Sequence, residues 1–93
     1  MHTPPAQATI TILYFAAAST AIGKTVEEIP LPSAGLALAN LASLLTSRYP
    51  NTGLEKVLQT SQWSVNEEMV DDPTTVTLTG GEEVAVIPPV SGG

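Results

Sequence analysis

Alternation and periodicity of apolar positions divide the chain into several short strands and one main helix. Residues 9–15, TITILYF, are β-branched and aromatic, with Ile10, Ile12 and Tyr14 on one side and Thr11, Leu13 and Phe15 on the other. Apolar residues on both sides mark a central strand. Residues 16–22 form a small-residue connection closed by Gly23, and residues 24–31 alternate charged and apolar positions as a second strand. Together these segments predict an N-terminal hairpin. Pro30 and Pro32 stop the second strand, and Ser33 is suited to N-cap the segment that follows. Over residues 34–49, Leu38, Leu41 and Leu45 recur at helical spacing, and Ala37, Ala42 and Leu44 widen the stripe. This main helix ends at the breaker cluster Pro50, Asn51, Thr52 and Gly53.

Leu54, Val57 and Leu58 then fit a short helical turn. Residues 63–66 and 69–70 read as short strands around a turn in which Asn66 tolerates a left-handed conformation. Asp71, Asp72 and Pro73 break the chain, Leu78 plugs the core, and Gly80 and Gly81 make a turn. The last strand covers residues 83–87, with Val84 and Val86 opposite Ala85 and Ile87. This order predicts an α+β fold, a mixed sheet packed by one face on one main helix. The other face keeps moderate apolar content, which points to a partner there.

Size changes this picture little, since 93 residues with 43% hydrophobic composition suffice for one compact core. The longest apolar stretches are interrupted by Thr, Ser and Asn and are too short to span a bilayer. Residues 1–8 carry Pro4 and Pro5 where a signal peptide needs its apolar run, so they read as a disordered N-terminus of a cytosolic protein. Charge says more. Nine acidic residues against Lys24, Arg48 and Lys56 give a formal net charge of −6, which repels phosphate backbones and excludes nucleic acid as a partner. Eight of the nine acids fall in the doublets Glu27-Glu28, Glu67-Glu68, Asp71-Asp72 and Glu82-Glu83. Strand neighbours point to opposite faces, so such doublets make solvated surface, or a field that steers toward a basic partner, rather than an acid/base pair.

Cysteine is absent, which removes disulfides, thiolate metal sites and cysteine nucleophiles; the one histidine, His2, lies in the N-terminal segment. No metal site and no nucleophile paired with a base is visible. A carrier without cysteine cannot hold sulfur as a persulfide. Transferable sulfur would have to sit on a carboxylate-derived group.

Such a group stands at the end of the sequence. Pro88 and Pro89 end the last strand and favour an extended, stiff neck; Val90 and Ser91 follow, and Gly92 and Gly93 make a tip without side chains. A tip of this kind threads a narrow channel and presents its carboxylate to another protein's active site. A terminal glycine doublet arises by chance in roughly 0.5% of chains. Its position directly after a proline pair and a buried-type strand favours the functional reading.

Residues 78–93, LTGGEEVAVIPPVSGG, resemble the closing signature of the molybdopterin synthase small-subunit family, in which an acidic turn leads through a last strand to Pro-Pro-Val, Ser or Thr, and Gly-Gly. Tyr14, Phe15 and Ala16 at the end of the first strand, and Val65-Asn66 at the mid-chain turn, are similar as well. The resemblance runs over residues 9–93. It implies a ubiquitin-like β-grasp domain over residues 9–87 and an extended tail over residues 88–93. It further implies that an activating enzyme uses ATP to adenylate the Gly93 carboxylate, and that a sulfurtransferase replaces the adenylate to leave a thiocarboxylate. The tail would then enter the large catalytic subunit of molybdopterin synthase, in a heterotetramer, and give its sulfur to a pterin precursor. In this scheme Gly93 bears the sulfur, Gly92 provides clearance, and Ser91, Val90, Pro89 and Pro88 position the tail. The chain itself is no enzyme, and pterin-binding residues belong to the partner. Sulfur carriers of thiamine synthesis, tRNA thiolation or protein modification form the alternative; their tails generally lack the Pro-Pro-Val neck. Ser19 and Thr20 stand where many family members have Arg-Glu.

Overall fold

A computed structural model describes residues 8–89. Strand β1 (Thr9–Tyr14) is followed by helix α1 (Ala16–Ile22), strand β2 (Val26–Pro30), strand β3 (Leu36–Ala37), helix α2 (Leu38–Arg48) and helix α3 (Leu54–Thr60). Strands β4 (Gln62–Val65) and β5 (Glu68–Val70), a 3₁₀ turn (Pro73–Thr75), and strands β6 (Thr77–Leu78) and β7 (Glu83–Ile87) complete the order. Five strands form one sheet in the order β2-β1-β7-β4-β5, with β1 and β7 parallel and every other neighbour antiparallel; β3 and β6 pair separately.

The alternation along β1 becomes the two faces of this sheet. Ile10, Ile12 and Tyr14 point to the helices and are buried, and Val84 and Val86 join them from β7. Leu38, Leu41 and Leu45 of α2 reach the same core with zero exposure, as do Leu54 of α3 and Leu78 of β6. Leu78 thus plugs the core as its isolated apolar position implied.

Two local expectations are corrected. The connection over residues 16–22 is a helix, because alanine loses no side-chain freedom there and Ala18 is fully buried. Gly23, at φ 73°, closes α1 in the left-handed conformation and donates its N–H to the Ser19 carbonyl. Strands β1 and β2 still pair antiparallel, but through a helix rather than a tight turn. The main helix starts at Leu38, not Ala34, and Ser33 does not cap it. Gly35 takes φ +83°, outside the helical region, and an added Cβ there would sit 2.9 Å from the Leu78 carbonyl oxygen. Leu36 and Ala37 therefore pair with Leu78 and Thr77, and the Leu38 N–H donates to Val76 O at 2.9 Å where a side-chain cap would otherwise serve. Pro30, for its part, lies within β2 as its final residue, on an edge where no donor is required.

At the mid-chain hairpin both Asn66 (φ 51°) and Glu67 (φ 71°) are left-handed, the backbone signature of a two-residue type I′ turn. The Asn66 side chain accepts from the Glu83 N–H at 3.0 Å, tying this turn to the start of β7.

Candidate functional site: the tail root and the open face of the sheet

Strand β7 sits in the middle of the sheet, paired to β1 on one side and β4 on the other. Its last residues are held on both flanks: Val86 lies across from Tyr14 and Trp63, Ile87 lies across from Gln62, and the Phe15 N–H donates to Val86 O at 3.3 Å. Pro88 continues directly from this strand and is buried, whereas Pro89 is exposed. A proline pair cannot extend the ladder, so the chain leaves the sheet at a defined point and in an extended direction. Val90, Ser91, Gly92 and Gly93, the remaining predicted site residues, lie outside the described residues, as does the N-terminal segment 1–7. Ala8 accepts the Leu31 N–H at 2.8 Å.

The face of the sheet away from the helices carries a row that strand register brings together. Val26, Leu13, Ala85, Ser64 and Met69 stand side by side across β2, β1, β7, β4 and β5. Val26 and Met69 are about half exposed, at 54% and 53%, and Phe15 beside the tail root is 48% exposed. Ala85 and Ser64 are nearly covered by these larger neighbours. The result is a shallow apolar strip ending where the neck departs. The two-sided apolar pattern of β1 signalled this face, but not its continuation to Val26 and Met69.

One acidic residue departs from the solvated-surface expectation. Register places Glu27 opposite Ile12, on the helix side of edge strand β2, and its side chain is 7% exposed. Tyr14 Oη donates to Oε1 at 2.9 Å, and Tyr49 Oη, Lys24 Nζ (3.3 Å) and Arg48 Nη2 (3.3 Å) converge on Oε2. Burial alone pushes the Glu27 carboxyl up, but hydrogen bonds from Tyr49, Tyr14 and Lys24 outweigh it and leave the pKa lowered. Burial, and then the hydrogen bond to Glu27, raise the Tyr14 hydroxyl far beyond the usual phenol range. This clasp fastens the β2 edge to the end of α2. Sequence reasoning missed it because its members are up to 35 positions apart and nothing in local spacing marks them.

Glu82 is likewise engaged, accepting from the N–H groups of Thr79 and Gly80 at 2.9 and 2.7 Å and closing the turn before β7. Among the described residues, no group of His, Cys, Asp and Glu is placed to hold a metal ion, and no helix is long and apolar enough to cross a membrane.

The architecture, a mixed sheet whose central β7 runs parallel to β1 and whose covered face packs on α2, is the ubiquitin-like β-grasp. The ThiS family model matches residues 12–93. A molybdopterin synthase sulfur carrier subunit from Mycosarcoma maydis is 46% identical over 86 residues, covering 90% of this chain and 92% of that protein. The chain belongs to the ThiS family and, within it, to the molybdopterin synthase sulfur carrier subunits. Among solved structures, a putative molybdopterin converting factor subunit 1 from Pyrococcus furiosus superposes with a TM-score of 0.70 at 26% identity, covering 89% of this chain and 99% of that one. The complex of subunits 1 and 2 of molybdopterin-converting factor from Helicobacter pylori gives a TM-score of 0.64 at 21% identity, with 91% and 99% covered.

Proposed function

We propose that this chain carries sulfur on Gly93 as the small subunit of molybdopterin synthase, donating it to a pterin precursor from which the molybdenum-binding dithiolene is built. The observation that carries the reading is the family match, which continues through the neck and both glycines to Gly93. A chain lacking cysteine has no persulfide route, so the sulfur belongs on the terminal carboxyl.

The chemistry divides between this chain and three partner activities in the cytosol: an activating enzyme, a sulfurtransferase and the large subunit. An activating enzyme joins the Gly93 carboxylate to the AMP portion of ATP and releases pyrophosphate. A sulfurtransferase then displaces AMP with sulfur, because AMP leaves readily where a carboxylate oxygen does not. The resulting thiocarboxylate is anionic and nucleophilic at neutral pH. Its sulfur passes to the precursor in the large subunit, and water returns Gly93 to a carboxylate. The folded body contributes no catalytic group; it supplies the handle. Pro88, Pro89, Val90 and Ser91 position the tail, and Gly92 gives it clearance in the channel. The apolar strip of Leu13, Val26, Ala85 and Met69 docks on the large subunit of a heterotetramer.

Incubation with an activating enzyme, ATP and a sulfur donor tests this reading. Intact mass should rise by the difference between one sulfur and one oxygen. Deletion of Gly93 should abolish that gain and the transfer to pterin while leaving the unfolding transition unchanged. Pterin sulfuration by the truncated chain would contradict the assignment. Copurification with the large synthase subunit, rather than with proteins of thiamine synthesis or tRNA thiolation, separates the pathways.

A further inference from the structure

The two edges of the sheet end one cross-strand row very differently. On the helix side that row runs Glu27, Ile12, Val84, Val65 and Glu68, from β2 to β5. At one end Glu27 is held by two tyrosines and two cations. At the other end Glu68 is exposed and, among the described residues, takes part in no ion pair. Both cations of the described ion pairs, Lys24 and Arg48, are committed to Glu27.

Beside β5 lies a groove of about 550 Å³. Val65, Val70 and Val76, all half-buried, make its apolar floor; Glu68, Asp71 and Asp72 rim it. Hydrogen bonds from the Thr74 side chain and then its N–H hold Asp72 below the ordinary carboxyl range, so it stays ionised. The backbone is free here as well. Val65 and Glu68 close the two-residue turn and form a hydrogen-bonded pair, which makes Ser64 and Met69 the non-bonded pair that follows. The N–H and C=O of Met69 therefore point away from β4, along an edge that carries no further strand among the described residues. Met69 presents its side chain on the open face while Glu68 and Val70 face the groove, so an added strand meets acid and valine on one side and methionine on the other.

We infer that the β5 edge and its valine-floored, acid-rimmed groove form a docking site for an extended, lysine- or arginine-bearing segment of a partner protein, added as a sixth strand. Main-chain hydrogen bonds to Met69 set the register, and alternate basic side chains reach Glu68 and Asp72. A second copy of this chain is a poor occupant, because its own acidic edge brings like charge against like. The β2 edge offers no equivalent: Pro30 lacks a donor, and the Glu27 clasp already satisfies the charge there. The inference does not depend on Gly93 carrying sulfur.

A synthetic acetylated peptide of alternating lysine and valine is the probe, titrated into the isotope-labelled full chain and followed by backbone amide shifts. The expected result is a shift centred on Met69, Val70 and Val76. Affinity should weaken with added salt and fall by about tenfold in the double variant E68K/D71K, whose exposed sites leave the unfolding transition in place. A wild-type titration with the same peptide N-methylated along one edge keeps the charge and removes the ladder; binding should be lost. Equal binding of the N-methylated peptide would reduce the site to non-specific charge attraction and overturn the inference. So would shifts centred on Val26–Pro30, the absence of any shift, or sedimentation showing that the edge instead pairs with a second copy.

Discussion

Ile12 and Leu13 are neighbours on one strand, yet they serve different ends. Ile12 has no exposed surface and sits among α2 leucines and β7 valines; Leu13 is half-buried in a strip that only small and half-exposed residues share. The helix face spends its apolar area on holding the body together. On the opposite face, apolar area remains available to another protein. The period of two along β1 thus separates apolar surface used in the core from apolar surface left open, residue by residue.

The sharpest way to break this division is in the core. Leu41→Ala should cost about 2–5 kcal/mol in urea unfolding, since the side chain has zero exposure and the site is walled by sheet and helix. Next comes Glu27→Gln, expected to cost about 1–3 kcal/mol because Tyr14, Tyr49, Lys24 and Arg48 lose a charged acceptor that is nearly buried. Its pH dependence tests the cause. The folded carboxyl titrates below its unfolded value of 4.5, so the stabilisation is present above that pH and disappears as pH falls through the folded value. Wild type and the variant should converge in acid; a gap that persists there would assign the effect to packing.

Smaller again is Gly80→Ala, which places a Cβ 2.9 Å from Ala8 Cβ at φ +132° and should cost about 1 kcal/mol by strain, because the exposed Ala8 can give way. Val26→Thr on the open face should change stability by no more than about 0.5 kcal/mol, because more than half of that side chain already meets water. Its effect should register instead as weaker copurification with the large subunit. A Val26 variant that unfolds readily but still docks would invert the comparison.

Much of this arrangement was legible beforehand. All five strands of the main sheet and the α2 stripe were visible because apolar periodicity reports burial directly. Helix α1 escaped because a run of alanines has high helix propensity but no amphipathic contrast. The β3–β6 pair escaped because two residues carry no period, and the N-terminal shift of α2 followed from Gly35 lying under Leu78, a contact far along the chain. The tail reading proposed above rests on six consecutive residues, whereas the apolar strip needed the register of five strands to become visible.

The placement of β7 also sets how the molecule bears force. The neck issues from the strand with neighbours on both flanks, so tension applied at the tip loads the ladders to β1 and β4 together, in shear rather than by peeling. A strand at the margin would unzip one bond at a time under the same pull. A pull on the neck at Pro88 and Pro89 would therefore be shared between two ladders, and the body behind it would keep its shape.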